Sequence, residues 1–161
     1  MVKKGWVQLF GDNDHLLFGS SNANVDLSTL HPEPVQIFRL WQMYLDNVNP
    51  LLMVTHTPSL QASIIEAASN VSAIGPDLEA LMFSIYCTAI LSLTVNDCQI
   101  ILGSSKEDLL ARFQFGCQQA LLNCRFLRSE NRDCLTALYL YLVSLSGDHI
   151  YLCFLMVLDL G

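Results

Sequence analysis

Cysteine, histidine and carboxylate side chains are the groups in this chain with chemistry to offer, and their spacing limits what they can do. Six cysteines stand at Cys87, Cys98, Cys117, Cys124, Cys134 and Cys153. A compact zinc site is recognised by closely paired ligands, and no C-x-x-C occurs. Cys117 and Cys124 lie seven apart on one apolar helical pattern, which is a core arrangement. The expectation is therefore no metal and no cofactor. The histidines are His15, His31, His56 and His149, none of them in an H-E-x-x-H pair. His31 and His56 adjoin Pro32 and Thr57 at helix starts, so capping and turn roles are expected. A Cys-His nucleophilic pair would have to be assembled in space, and no motif marks one.

The glycines form no phosphate-binding loop, neither G-x-G-x-x-G nor G-x-x-x-x-G-K-[ST]. Gly19-Ser20-Ser21 and Gly103-Ser104-Ser105 approach the G-x-S-x-G nucleophile turn but lack its second glycine. Glu107-Asp108 is explained by a helix N-terminus, where the backbone dipole favours acids. Nothing here points to an enzyme.

The elements that would position such groups follow from composition and periodicity. The 161 residues are 52% hydrophobic and only 14% charged, against about 25% charged in an average globular chain. That balance signals heavy burial or a surface awaiting a partner. The net charge of −7 argues against nucleic-acid binding by this chain alone, since phosphate contacts need a basic face. The one basic cluster, Arg125, Arg128 and Arg132, reads as a solvated helix end. The run from Ala80 to Val95 is strongly apolar but shorter than the roughly 18 residues that suggest a membrane span, so a buried helix is expected. Without a long apolar leader segment, the cysteines read as reduced, buried thiols of an intracellular protein.

Along the chain, residues 1–30 are turn-rich: a short hairpin or irregular arm around Gly11-Asp12-Asn13-Asp14, then a polar linker. Pro32 to Pro34 opens a first helix. Ile37, Phe38, Trp41, Tyr44, Leu45 and Val48 recur at helical steps, and Asn49-Pro50 is expected to end it. Thr57 as N-cap and Pro58 start a helix to about Asn70, carrying Leu60, Ile64, Ile65 and Ala68. Pro76 opens the apolar helix, which is expected to run to about Asn96. Asp97 to Leu102 reads as a short apolar segment. Ser104-x-x-Glu107 reads as a capping box for a helix from Ser105 to about Leu127. Cys134 to Leu145 is a last buried helix, and residues 146–161 form an almost uniformly apolar tail. The expected fold is all-α, an irregular array of five or six helices. The aromatic set Phe38, Trp41 and Tyr44, with Phe83 and Tyr86 from the apolar helix, lines either the core or an apolar pocket.

One stretch carries a family resemblance. HPEPVQIFRLWQMYLDNVNPLLMVTHTPSL, from His31 to Leu60, resembles the start of the regulatory middle homology region in fungal binuclear-zinc-cluster transcription factors. The features that carry it are His31-Pro32, Leu40-Trp41, Tyr44 to Pro50, and His56-Thr57-Pro58-Ser59-Leu60. DLEALMFSIYCTAILSLT, Asp108-Leu109-Leu110-x-Arg112-Phe113 and DCLTALYLYLVSL continue it in order, to about residue 145. A weaker likeness lies in GWVQLFGDNDHLLFGSS.

The resemblance implies a regulatory all-helical domain over 31–145, preceded by an arm at 1–30 and followed by a tail of uncertain origin at 146–161. It implies a transcription-regulating, nuclear role linked to secondary metabolism. The family's zinc cluster is not found in this sequence, and its helical domain would continue further. The expectation is therefore a truncated relative, or a gene model running into unrelated sequence, that works as an interaction module without DNA contact of its own. Its partner would be a second copy or a full-length relative. The alternative is a helper protein or enzyme that binds a small apolar metabolite through the aromatic set.

Overall fold

The computed structural model describes residues 25–146. The hairpin or irregular arm expected around Gly11 to Asp14, the apolar tail beyond Ser146, His15, His149 and Cys153 lie outside them. Six main helices, two short 3-10 turns (Leu27–Thr29 and Val71–Ala73) and no strand occur among the described residues, the expected all-α array. Helix α1 is one rod in three parts: Pro34–Met43, a π-helical segment Tyr44–Val48, and a final α turn Asn49–Leu52. Then come α2 (Thr57–Ser69), α3 (Pro76–Ser92), α4 (Val95–Leu102), α5 (Lys106–Asn123) and α6 (Arg132–Leu145).

Helix α3 is the axis of the fold. Every residue from Ala80 to Leu91 is buried, as expected for a helix that is apolar on all sides. It packs most extensively against α5 and α6, with α1 on another flank. Its buried Ser84 and Thr88 hydroxyls are satisfied within the helix: Ser84 Oγ donates to Leu81 O at 2.8 Å and Thr88 Oγ1 to Ser84 O at 3.1 Å. At its C-terminal end Lys106 Nζ donates to Leu91 O (3.2 Å) and Leu93 O (2.7 Å), closing two carbonyls of the last turn with a cation. No helix of the described residues is long and apolar enough to cross a membrane.

Several element boundaries differ from the sequence expectation, each for a local reason. Helix α1 continues through Asn49-Pro50 to Leu52 instead of ending there. Pro50 sits in the first turn of the restarted segment, and the wider π turn before it relieves the clash with the Asp46 carbonyl that a regular helix would impose. Met53, at φ 48°, then stops the rod. Helix α2 is capped from His56, with Thr57 already helical. Helix α3 stops at Ser92, and Asp97 to Leu102 belongs to a separate helix. Thr94 and Asp97 form the capping box of α4, the Thr94 hydroxyl receiving Asp97 N at 3.1 Å. Gly103, at φ 71°, ends α4, so the next cap falls on Ser105, which receives Asp108 N at 3.2 Å, rather than on Ser104 with Glu107. Helix α5 ends at Asn123, not Leu127. Phe126 N donates to Leu121 O and Arg125 N to Leu122 O, a Schellman turn with Arg125 at φ 52° in the place usually held by glycine.

Gly116 marks the closest approach of α5 to α3. A Cβ placed there would lie 2.6 Å from Phe83 Cε1 and 2.8 Å from its Cδ1. The Phe83 ring is fully buried and held by His31 and Tyr86, so it has little room to yield. Alanine at a mid-helix glycine ordinarily gains about 1 kcal/mol. Here overpacking outweighs that gain, and Gly116→Ala is expected to destabilise the chain by about 1–3 kcal/mol. Thermal melts of the two proteins check this. A melting temperature equal to or above wild type would show that the ring gives way.

Candidate functional site

Of the five aromatic residues singled out from the sequence, Trp41, Tyr44, Phe83 and Tyr86 are buried, whereas Phe38 is 41% exposed. The buried face of α1 is drawn by Ile37, Leu40, Trp41, Tyr44 and Val48, which leaves Phe38 on the flank. Trp41 and Tyr44 stack with centroids 5.6 Å apart. Tyr44 OH lies 3.1 Å from Thr55 Oγ1, which donates to Asn49 Oδ1 at 3.0 Å, so this aromatic pair also anchors the connector after α1. Ile65, expected on the inner face of α2, is exposed.

His31 corrects a further expectation. It is not a cap but a buried polar centre between α3 and α5. Its ring lies 4.4 Å from Phe83 and stands edge-on to Tyr86 at 5.8 Å, and Tyr86 packs on Phe113 at 5.2 Å. Its Nε2 is 3.3 Å from Glu79 Oε1 and its Nδ1 is 3.1 Å from Tyr86 OH. The Glu79 carboxylate accepts only, so Nε2 carries a proton toward it, while Nδ1 makes its bond with the Tyr86 hydroxyl. Burial, aided by the Glu79 charge, pushes the Tyr86 phenol well above its ordinary range. Arg112 completes the anchor from α5, donating to Leu30 O (3.0 Å) and His31 O (3.1 Å). These bonds pin the chain before α1 onto the α3–α5 pair. With its ring enclosed and both nitrogens engaged, His31 holds structure rather than meeting a substrate.

His56 is exposed, with Nδ1 2.9 Å from Ser59 Oγ, beside a cleft of about 280 Å³ lined by Thr55, Ser63, Arg132 and Asp133 among others. The Ser59 hydroxyl also lies 3.2 Å from the His56 carbonyl, which makes the pair a helix-start turn of three residues.

Two features escaped sequence reasoning. First, Cys124 and Cys134 meet, Sγ to Sγ 2.7 Å, with a carboxylate oxygen of Asp77 within 4.8 Å of both. Nine intervening residues gave no motif; only the turn joining α5 and α6 brings them together. Asn131 stands beside them, its Nδ2 donating to Asp77 Oδ2 at 3.0 Å and its Oδ1 capping α6 at Asp133 N. Second, Leu135, Tyr139 and Leu142, at 49%, 45% and 50% exposure, recur at helical steps along the outer face of α6. They form an apolar stripe that nothing among the described residues covers. The alternation of these positions with buried Cys134, Ala137, Leu140 and Tyr141 was the available signal, but it shows only that α6 is apolar on both faces. Arg125, Arg128 and Arg132 are all exposed around the α5–α6 turn, the solvated basic end expected.

No family model matches the chain, and no solved structure does. Among curated proteins it is similar to Transcriptional regulator AacuB of Aspergillus aculeatus, 58% identical over 150 residues, covering 92% of this chain and 20% of the relative. It is 62% identical over 133 residues to Transcriptional regulator nsrM of Aspergillus novofumigatus, covering 83% of this chain and 19% of that protein. It is 42% identical over 139 residues to the Pyriculol/pyriculariol biosynthesis cluster transcription factor 1 of Pyricularia oryzae, covering 85% and 19%. The chain thus spans about a fifth of the length of the curated relatives it matches.

Proposed function

The chain is a homologue of fungal transcription regulators, among them C6 finger domain transcription factors, and from that premise we propose that it is a helical regulatory module, acting in the nucleus through protein contacts rather than DNA contacts. Residues 31–145 correspond in this reading to part of the regulators' helical domain. The observation that carries it is the uncovered stripe Leu135, Tyr139 and Leu142. Large apolar side chains repeated on one exposed helix face are uncommon on a soluble monomer and mark a contact surface. The occupant we assign is a full-length regulator of the same kind, whose chain is about five times as long as the matched segment. The net charge of −7 is the second support, since it disfavours a phosphate backbone.

The test mixes the purified chain with a purified full-length relative. Wild type is expected to co-elute with it, and Tyr139→Glu to elute alone. Tyr139 is half-exposed, so this change is expected to alter stability by no more than about 0.5 kcal/mol. Equal co-elution of the variant, or no co-elution of wild type, would overturn the assignment. Tight, salt-sensitive retardation of duplex DNA by the chain alone would overturn the protein-contact reading as a whole.

A further inference from the structure

We propose that Cys124 and Cys134 form an oxidisable thiol pair, which a hydroperoxide closes into an intrachain disulfide across the α5–α6 turn. The pair is set by two independent local structures. Cys124 is the C-cap of α5, held by the Schellman turn in which Phe126 N and Arg125 N return to Leu121 O and Leu122 O. Cys134 lies in the first turn of α6, whose start is fixed by the Asn131 cap. The two sulfurs face each other at 2.7 Å, close to the roughly 2.05 Å of a disulfide bond.

Access is unequal, and that assigns the roles. Cys124 is partly exposed whereas Cys134 is fully buried. Cys124 is the less enclosed of the two residues and is assigned the first encounter with the hydroperoxide. Its sulfur attacks one peroxide oxygen and the O–O bond breaks, giving a sulfenic acid and releasing the alcohol, or water from hydrogen peroxide. The Cys134 sulfur then attacks the sulfenic sulfur. The S–O bond breaks, and the hydroxyl leaves as water with the Cys134 proton. Two thiols are oxidised to one disulfide, and one peroxide is reduced. Burial, the facing Cys134 and the Asp77 carboxylate all push the Cys124 thiol above its ordinary range. The pair therefore rests as dithiol and reacts only under oxidant excess, more slowly than an activated thiolate would. Cys87, Cys98 and Cys117 are completely buried and lack its access, which makes them internal controls. Once closed, the bond locks the turn that presents Arg125, Leu127 and Arg128, including the 72%-exposed Leu127.

Trypsin cleaves after Arg112, Arg125, Arg128 and Arg132 and separates the two cysteines; because peptide 113–125 also holds Cys117 and peptide 133–161 also holds Cys153, fragmentation of the linked pair assigns the bond. The folded chain is treated with hydrogen peroxide, alkylated, digested and mapped by mass spectrometry. The expected result is a linked Cys124–Cys134 peptide pair, lighter by two hydrogens than the separate peptides and parted by dithiothreitol. Cys87, Cys98 and Cys117 should be alkylated in full after unfolding. In Cys124→Ala, Cys134 should stay a thiol. In Cys134→Ala, Cys124 should stop at a sulfenic acid that dimedone captures. If Cys134→Ala does not fold, Cys124→Ala alone decides. Oxidised methionines with both thiols intact, linkage of either cysteine to a different one, or oxidation of Cys134 in Cys124→Ala would overturn the proposal. So would joint protection without a linked peptide that a chelator reverses, which would identify a metal site shared with Asp77.

Discussion

Phe83→Ala is expected to lower the unfolding free energy by about 3–5 kcal/mol, the usual cost of emptying a buried aromatic site. Phe83 is completely buried at the middle of α3, where its ring meets His31 at 4.4 Å, Tyr86 at 5.6 Å and the bare backbone of Gly116. Three elements have shaped themselves around that ring: the segment before α1, α3 itself and α5. They cannot all close in when it is removed, because each is fixed elsewhere, α5 by its Ser105 cap and the leading segment by Arg112. Total stabilities are about 5–15 kcal/mol, so the loss is a large share of what the chain has. Urea titration of both proteins measures it. A loss under about 1 kcal/mol would mean that the core repacks freely around the gap. Combining Phe83→Leu with Gly116→Ala gives an internal check. The smaller side chain should relieve the clash, so the pair should cost less than the sum of the single changes.

His31→Leu is the second large effect, expected at about 3 kcal/mol, because it strands polar partners on top of changing the packing. Leucine fills much of the imidazole volume. It leaves the Tyr86 hydroxyl, deep in the core, without its imidazole partner and the Glu79 carboxylate without its donor. Removing the stranded hydroxyl as well should recover part of the loss. The double variant His31→Leu with Tyr86→Phe is therefore expected to be more stable than His31→Leu alone plus the Tyr86→Phe cost, by about 1 kcal/mol of coupling. Strict additivity in chemical denaturation would show that the His31–Tyr86 bond contributes nothing. The cycle separates hydrogen bonding from packing, which a single substitution at His31 cannot do.

The covered and uncovered faces of α6 join the fold to the proposed role. Cys134, Ala137, Leu140 and Tyr141 are spent on the core, while Leu135, Tyr139 and Leu142 remain outside. A helix apolar on both sides is stable in isolation only if something takes the second face. In the role proposed above, a full-length regulator takes that second face. The thiol pair at the start of the same helix sits on the turn that aims it. Oxidation there and partner binding on the stripe are nonetheless separable by experiment, since one is read by peptide mapping and the other by co-elution.

Much of the architecture was legible from residue pattern. Proline at the first turns of α1, α2 and α3, acids at the start of α3, and an apolar run with no polar face gave helices in the right order and a buried axis. The local competition at the boundaries was less legible. Asn49-Pro50 carried a stop signal that a π turn overrode, and the Thr94–Asp97 box was hidden inside an apolar run. The end of α5 used arginine where the usual signal is glycine. Such features depend on which of several backbone hydrogen bonds wins, and neighbouring packing decides that.

Sequence alone determined the helical class, the apolar axis from Ala80 to Leu91 and the likeness to fungal regulators, because periodicity, turn residues and ordered blocks are properties of the chain read one window at a time. Tertiary structure alone decided that His31 is a buried hydrogen-bonded centre rather than a cap, that Phe38 stands outside the aromatic core, and that Cys124 meets Cys134. Those outcomes depend on where separate helices come to rest against one another. Side chains 10, 48 or 55 residues apart, as in Cys124–Cys134, His31–Glu79 and His31–Tyr86, become neighbours only when packing closes the distance.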